Sequence, residues 1–479
     1  MSPQTALLVW LVLLLALLYF DSAKVPGTSV ALWVPVIWLF ILGSRLPSQW
    51  LADQVFGWSQ AAKAQAMEDG NPLDRSILFG LILLSFVILI LRSFRWGAFF
   101  ARNPFLIAFL AYALISVLWS DSSFIAFKRW FRDLGNYFVV LIVLSDPCPL
   151  EAIRVVLRRL SYLLIPISIV LIKYFTELGM QYSLWTGERV YVGATTSKNM
   201  LGVMCLISGL FFFWDTVTRW SERKVWRTKR ILLVNITLLG MTLWLLNLAS
   251  SATSGVCLAI GCLVVLAAHS EWGRRHSTFI AVLMPVSFLM YLLLAFGLDL
   301  NGYMASRVGR DPTLTDRTLI WQGVLSMHTN PLVGTGYESF WLGSRLKTLW
   351  QMPSLGGINE AHNGFLELYL NLGFIGVALL VAFLISSYRS ICKGLASSPK
   401  LASLNIAVWT IMLFYNMTEA AFKSQLMWIA LLLAATAVPT RVNEQAQGAT
   451  FQYADPRRSF PNTFIPSLTT RRSHERRGD

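Results

Sequence analysis

The stretch NEAHNGFLELYLNLGFIGVALLVAFLI, residues 359–385, passes from a polar loop into a long apolar run, and the boundary carries His362 beside Asn363. Imidazole titrates near neutral pH, so a histidine at the watery mouth of a membrane helix is suited to proton transfer. Just over one turn further in, Glu367 is an ionisable residue on an apolar segment, which makes it a functional candidate. Its nearness to the interface leaves snorkelling to water as the alternative. If a helix opens near His362, then His362, Leu366, Tyr369, Gly373 and Gly376 fall on one stripe. The two glycines would then let a neighbouring helix approach closely.

Two more segments carry polar groups that could act on a ligand. In PTLTDRTLIWQGVLSMH, Thr313 and Asp316 resemble a capping box, and Arg317, Trp321, Val324 and His328 share one helical face. Arg317 and Trp321 could form a surface cation–π pair worth about 0.5–1 kcal/mol. In GERVYVGATTSKNMLG, Arg189 follows Glu188, an exposed pair that would contribute roughly 0–1 kcal/mol. Lys198 and Asn199 open the apolar segment after it, where they would either bind phosphate or cap a helix. The chain contains no Asp-x-Asp sequence, a pattern often used to hold a catalytic metal. Arginine is permanently charged, and its guanidinium can grip an oxyanion bidentately.

The elements that must position these residues are membrane helices. Of 479 residues 55% are hydrophobic and only 14% charged, with a mean hydropathy of +0.57. A soluble fold cannot cover that much apolar surface. Apolar segments near 5–20, 29–44, 75–92, 103–119, 134–146, 155–173, 199–218, 231–249, 254–268, 278–297, 364–386, 401–418 and 425–438 approach the roughly 20 residues a helix needs to span hydrocarbon. The fold class is therefore an all-α polytopic membrane protein with 12–13 transmembrane helices. The segments are continuously apolar rather than alternating, which argues against a β-barrel. The stretch DSSFIAFKRWFRDLGN, within 120–146, could instead lie on the surface as an amphipathic helix.

A formal charge of +15 would suit nucleic acid, yet the basic residues cluster in alternate loops, as around Arg92–Arg102, Arg154–Arg159, Arg219–Arg230 and Arg389–Lys400. By the positive-inside rule those loops are cytoplasmic, and the nearly neutral loops 174–198, 250–255, 298–362 and 419–424 face outward. No nucleic-acid partner is expected. Residues 1–438 form the membrane unit, with 298–362 as one large outward loop before the last three spans; 439–479 read as a basic, disordered cytoplasmic tail. The first apolar run lacks a preceding Lys or Arg and is expected to stay as a helix. None of the five cysteines lies in an outward loop, so no disulfide framework is expected.

The order His-Asn, nine residues, Gly, two residues, Gly from His362 to Gly376 resembles the signature of the O-antigen ligase and polysaccharide polymerase superfamily. GERVYVGATTSKNMLG is similar to its Arg-containing segment ending in Asn-x-Leu-Gly, DRTLIWQGVL to its Arg-x-x-x-Trp block, and NPLVGTGYESFW to the Gly-x-Gly block that follows. SSATSGVCLAIG resembles the Ser/Thr-rich start of another span. The blocks cover most of residues 100–440 in order, and TTSKNMLG with SSATSG looks closest to exopolysaccharide-production polymerases of the succinoglycan type.

The resemblance implies a bacterial inner-membrane glycosyltransferase with its active site facing the periplasm. Its donor would be an oligosaccharide on undecaprenyl diphosphate and its product a growing polysaccharide chain. The family's motif arginines correspond to Arg189 and Arg317 and its base to His362, so catalytic roles are expected there. Substrate-binding roles are expected at Lys198, Asn199, Trp321, Asn363 and Glu367, with no metal and no cofactor. Transfer would be inverting, and copolymerase and export proteins are candidate partners besides membrane lipid. Two alternatives stand beside this one: a ligase that transfers polymer to lipid A core, and a transporter of lipid-linked sugars. A transporter places ionisable groups deep in the membrane, often in matched halves; here the polar residues gather in two outward loops.

Overall fold

A computed structural model describes residues 1–22, 28–51, 70–182, 187–297, 317–353, 355–423 and 425–438. The expected tail from 439 onward and the Thr313–Asp316 capping box lie outside the described residues. The rest is almost wholly helical. One antiparallel hairpin interrupts it, Met180–Tyr182 against Arg189–Tyr191 with Gln181 opposite Val190.

Each of the thirteen apolar segments falls on helix, although Ser123–Leu144 begins eleven residues before the 134–146 segment and Gly364–Ser397 runs eleven residues past 386. Among the described residues eight helices are long and apolar enough to cross a membrane, or nine if Trp96–Arg102 and Pro104–Trp119, bent by 97°, count as one span. The remaining segments fall in shorter helices such as Val30–Gly43 and Leu426–Ala435, or in Ser123–Leu144, one continuous helix with a polar first half. At 1.5 Å per residue, the ten residues of Leu426–Ala435 reach only about half of a ~30 Å hydrocarbon core. That helix is nonetheless buried along its length, packed among other helices rather than in lipid.

Burial sorts the spans into an inner and an outer set. Pro149–Tyr174 and Lys198–Glu222 are 83% and 78% buried, whereas Pro72–Leu91 and Ser277–Ala295 are 28% and 22% buried and expose leucine, isoleucine and valine. Lipid tails are as apolar as those side chains, so association of the inner helices depends on close packing and internal polar contacts. Gly202 allows such an approach, because a Cβ there would stand 2.7–2.8 Å from Ser251 and Ser254. At the basic end of the bundle Asp215 is fully buried, paired with Arg219 at 2.8 Å and Arg154 at 2.9 Å, and accepts from Asn235 at 2.9 Å.

The helix Gly364–Ser397 is broken at Gly373, whose φ is +62°. The sequence suggests that Gly373 and Gly376 admit a neighbouring helix; the structure admits a loop instead. Residues Pro331–Gly336 insert at the break, and the freed amides of Phe374 and Ile375 donate to the carbonyls of Pro331 (2.9 Å) and Leu332 (3.1 Å). On the other side Thr335 and Gly336 donate to the carbonyls of Leu370 and Asn371. Irregular backbone at membrane depth is tolerated only when its polar groups are satisfied in this way. A Cβ on Gly373 would lie 2.2 Å from the Leu332 carbonyl oxygen. Gly373→Ala is therefore expected to lower the unfolding temperature in detergent, with about 1–3 kcal/mol from the left-handed backbone alone. Gly255→Ala, which meets open space, serves as the neutral control.

Above the break, residues 317–362 carry the helices Arg317–Ser326 and Gly343–Gln351 and an apolar cluster of their own. Ile320, Val324, Phe340, Trp341, Leu346 and Leu349 pack with Leu370 of the broken helix. The long loop is thus anchored onto the start of the segment that carries His362.

Candidate active site

The turn before the Gly364–Ser397 helix is built by short-range polar contacts. Asn363 is the N-cap, its Oδ1 accepting from the amides of Phe365 and Leu366 at 3.0 Å each, while its Nδ2 donates to the Met417 carbonyl at 3.4 Å. The Gly364 amide donates to the Asn416 carbonyl at 2.8 Å, and a Cβ on Gly364 would collide with the Asn416 side chain. Asn416 in turn accepts from the Ala421 amide at 2.8 Å and donates to the Met412 carbonyl at 2.8 Å. These bonds tie the 361–364 turn to the turn after the Pro399–Tyr415 helix, so Glu419 lies against His362.

His362 precedes the cap in a left-handed conformation, φ +49°. Its Nδ1 lies 3.3 Å from Glu419 Oε2 and 3.3 Å from Glu360 Oε1. Glu419 Oε1 also pairs with Arg317 Nη2 at 3.0 Å, and the Asn199 amide donates to both Glu419 oxygens at 3.2 and 3.3 Å. Glu360 is held on its other side by Lys423 Nζ at 2.8 Å. The side chain of Glu419 is only 8% exposed and that of His362 is 27% exposed, so the histidine faces an opening and the carboxylate lies behind it.

Opposing effects set the proton affinities. Burial lowers the His362 pKa, but the Glu419 hydrogen bond and the charges of Glu360 and Glu419 outweigh burial and Arg317, and the net shift is upward. Burial raises Glu360, and Lys423, His362 and Arg317 more than reverse it, so Glu360 stays below the ordinary carboxylate range. Lys423 moves up: burial opposes its charge, and Glu360 and Glu367 prevail. A neutral His362 that donates Nδ1–H to Glu419 leaves Nε2 free to take a proton, the tautomer a general base requires.

Other candidates from the sequence are placed as follows. Trp321 and Arg317 do share a face, but Trp321 Nε1 donates to the Ala361 carbonyl at 2.9 Å and the Arg317 guanidinium pairs with Glu419 rather than with the indole ring. His328 lies beyond the end of that helix and is exposed. Glu367 is buried, accepting from Trp341 Nε1 at 2.7 Å and the Ala361 amide at 2.9 Å. It braces the backbone next to His362 and does not snorkel to water. Lys198 is exposed in the first turn of the Lys198–Arg219 helix, and the cap there is Ser197, whose Oγ accepts from the Met200 amide at 3.2 Å. Arg189 is exposed at the start of the second strand of the hairpin. Among the described residues no ion pair joins it to Glu419 or Glu360. Arg317, His362 and Asn199 are thus brought together; Arg189 and Lys198 stand outside that contact set.

Glu419, Glu360 and Lys423 were missed by the sequence reading. One signal was present: Glu419 is the sole acidic residue between positions 399 and 438. Glu360, His362 and Glu419 offer ligand atoms within 4.8 Å of one another, a spacing that could hold a cation. Arg317 and Lys423 pair with Glu419 Oε1 and Glu360 Oε2, whereas the oxygens nearest His362 Nδ1 are Glu419 Oε2 and Glu360 Oε1.

An all-helical, multi-pass membrane protein with this polar turn matches the O-Antigen ligase family over residues 236–381, a range that includes Arg317, Trp321, His362, Asn363 and Glu367. The chain is also 28% identical over 313 residues to the Exopolysaccharide production protein ExoQ of Rhizobium meliloti (strain 1021), covering 63% of this chain and 68% of that protein. Resemblance to the O-antigen ligase and polysaccharide polymerase superfamily, with a relative among exopolysaccharide-production proteins, thus stands on more than short motifs. Both comparisons point to polysaccharide polymerisation or ligation in general, by a membrane glycosyltransferase-like protein. Asn199 and Glu419 lie outside the ligase match, on segments that the fold carries to it.

Proposed function

We propose that the protein polymerises lipid-linked oligosaccharide repeat units into exopolysaccharide at the periplasmic face of the inner membrane. The observation that carries this reading is the convergence of His362, Arg317 and Asn199, from three distant segments, on the single carboxylate of Glu419. In the proposed step an acceptor sugar hydroxyl attacks the anomeric carbon of a sugar on undecaprenyl diphosphate. The O–H proton passes to His362 Nε2, the new C–O bond forms, and the bond to the diphosphate breaks with its electron pair. Attack opposite the leaving group inverts the anomeric configuration and needs no covalent sugar–enzyme intermediate.

Arg317 opposes the charge gathered by the diphosphate. Glu419 engages it through Nη2, and a guanidinium has five N–H donors, so an anion can be gripped while the ion pair holds the side chain in place. Arg189, on the exposed hairpin, supplies a second guanidinium once donor occupies the site. Preorganised charge directed at a leaving group is commonly the largest catalytic contribution. Asn363, Trp321 and Glu367 position the 361–363 backbone, and Lys198 at the mouth of its helix meets the donor phosphates.

Cells lacking the protein test the reaction class. Single repeat units on lipid, already outside the membrane, are the expected accumulation. The O-Antigen ligase match favours one other reading, transfer of finished polymer to lipid A core, and free long polymer on its lipid carrier would identify that instead. Chelators are expected to leave elongation by the purified protein unchanged; loss that a divalent cation restores would overturn the metal-free mechanism.

A further inference from the structure

A second site lies at the other end of the broken helix. Between the C-terminal half of Gly364–Ser397 and the start of Pro104–Ile115 is an open cavity of about 490 Å³. Ala382, Ser386, Arg389 and Lys393 follow one another at spacings of four, three and four, which places them on one helical face. The wall nearer the membrane interior is apolar, formed by Ala382, Ile385 and Phe105, and the latter two are 49% and 43% exposed. The outer wall carries Arg389 and Lys393 with the hydroxyls of Ser386 and Ser390. No acidic residue lines the cavity, and among the described residues neither Arg389 nor Lys393 is in an ion pair. Phe105 sits just past the 97° bend at which Trp96–Arg102 turns away from the span.

We propose that this cavity binds an anionic glycerophospholipid of the membrane leaflet that meets the basic loops. The two cations and two hydroxyls match a phosphodiester, and the exposed Phe105 and Ile385 match the first methylenes of an acyl chain. Basic pockets between membrane helices hold anionic headgroups through this combination of charge and apolar wall, and a zwitterionic lipid gains less because its own cation faces the arginine. The volume suits a headgroup with its glycerol rather than a sugar polymer. Occupancy would anchor the lower half of the broken helix, beyond Gly373, and is independent of the chemistry proposed at His362.

Native mass spectrometry of the full-length detergent-solubilised protein, titrated with phosphatidylglycerol or phosphatidylcholine of equal chain length, tests the site. Phosphatidylglycerol is expected to bind at least about tenfold more tightly, equivalent to roughly 1.4 kcal/mol. Arg389→Gln combined with Lys393→Gln should remove that preference. Ala382→Phe, which keeps both charges and fills the apolar wall, should weaken phosphatidylglycerol as well, which separates lipid from small-anion binding. Glycerophosphate without acyl chains should not compete at equal concentration. Equal affinity for the two lipids, an unchanged preference in the double variant, or full competition by glycerophosphate would each overturn the proposal. If the double variant does not fold, Ala382→Phe and the glycerophosphate competition still decide it.

Discussion

His362→Ala is expected to abolish polymer formation while the protein stays in the membrane at its normal level. Removal of a general base costs roughly 10²–10⁴-fold in rate, enough to eliminate visible exopolysaccharide. Folding should survive, because among the described residues the side chain's polar contacts are to Glu360 and Glu419, and those carboxylates keep Lys423 and Arg317. The Asn363 cap and the Gly364–Asn416 bond that shape the turn do not involve the imidazole. His362→Asn makes a useful companion, since asparagine tolerates the left-handed backbone at φ +49° and cannot act as a base. Both variants should be inactive. Near-normal polymer from either, measured by product length with immunoblotting for membrane content, would refute the role.

Glu419→Gln should produce the second largest effect, together with a change in pH dependence that a merely structural residue would not give. Wild-type His362 has a raised pKa, so the fraction of neutral base, and with it the rate, should fall as pH drops through a value above the ordinary one of roughly 6.5. Glutamine keeps the shape and loses the charge that favours the imidazolium. The acidic limb should therefore move to lower pH, while the rate on the alkaline plateau falls because Arg317 and the imidazole lose their shared anchor. Loss of a carboxylate that orients a histidine typically costs about 10–100-fold in metal sites, a reasonable scale for the plateau. Elongation rates across pH for the two proteins decide the matter. An acidic limb that stays in place, or shifts upward, would show that Glu419 does not act through His362.

Much of the fold was legible because hydrocarbon demands long apolar segments, and those stand out in a chain with so few charges. Span length was harder to read. Segments 425–438 and 103–119 look like complete spans in hydropathy, yet the helix Leu426–Ala435 is short and interior, and Pro104–Trp119 meets Trp96–Arg102 at a 97° bend. Gly373 was misread for a physical reason: glycine permits both close helix contact and a left-handed break, and only the position of Pro331–Gly336 in space distinguishes them. Within the site, Arg317, Trp321 and His362 were accessible from helical spacing and motif order. Glu419 was not, since it lies 57 residues from His362 in a turn that looks like an unremarkable outward link. A carboxylate whose importance comes from three partners on three separate segments has no local pattern to betray it. Glu367 had the opposite history: an ionisable group in an apolar run suggested substrate contact, and its oxygens are taken up by Trp341 and Ala361.

The most direct test of the central claim is a structure of the protein bound to an unreactive lipid-diphosphate-linked sugar. The account predicts the diphosphate against Arg317, with the Arg189 hairpin drawn toward it. His362 Nε2 should then stand across the anomeric carbon from the leaving oxygen, about 2.6–3.2 Å from an acceptor hydroxyl where one is bound. A diphosphate seated elsewhere, with Arg317 and His362 both out of reach of the sugar, would contradict it.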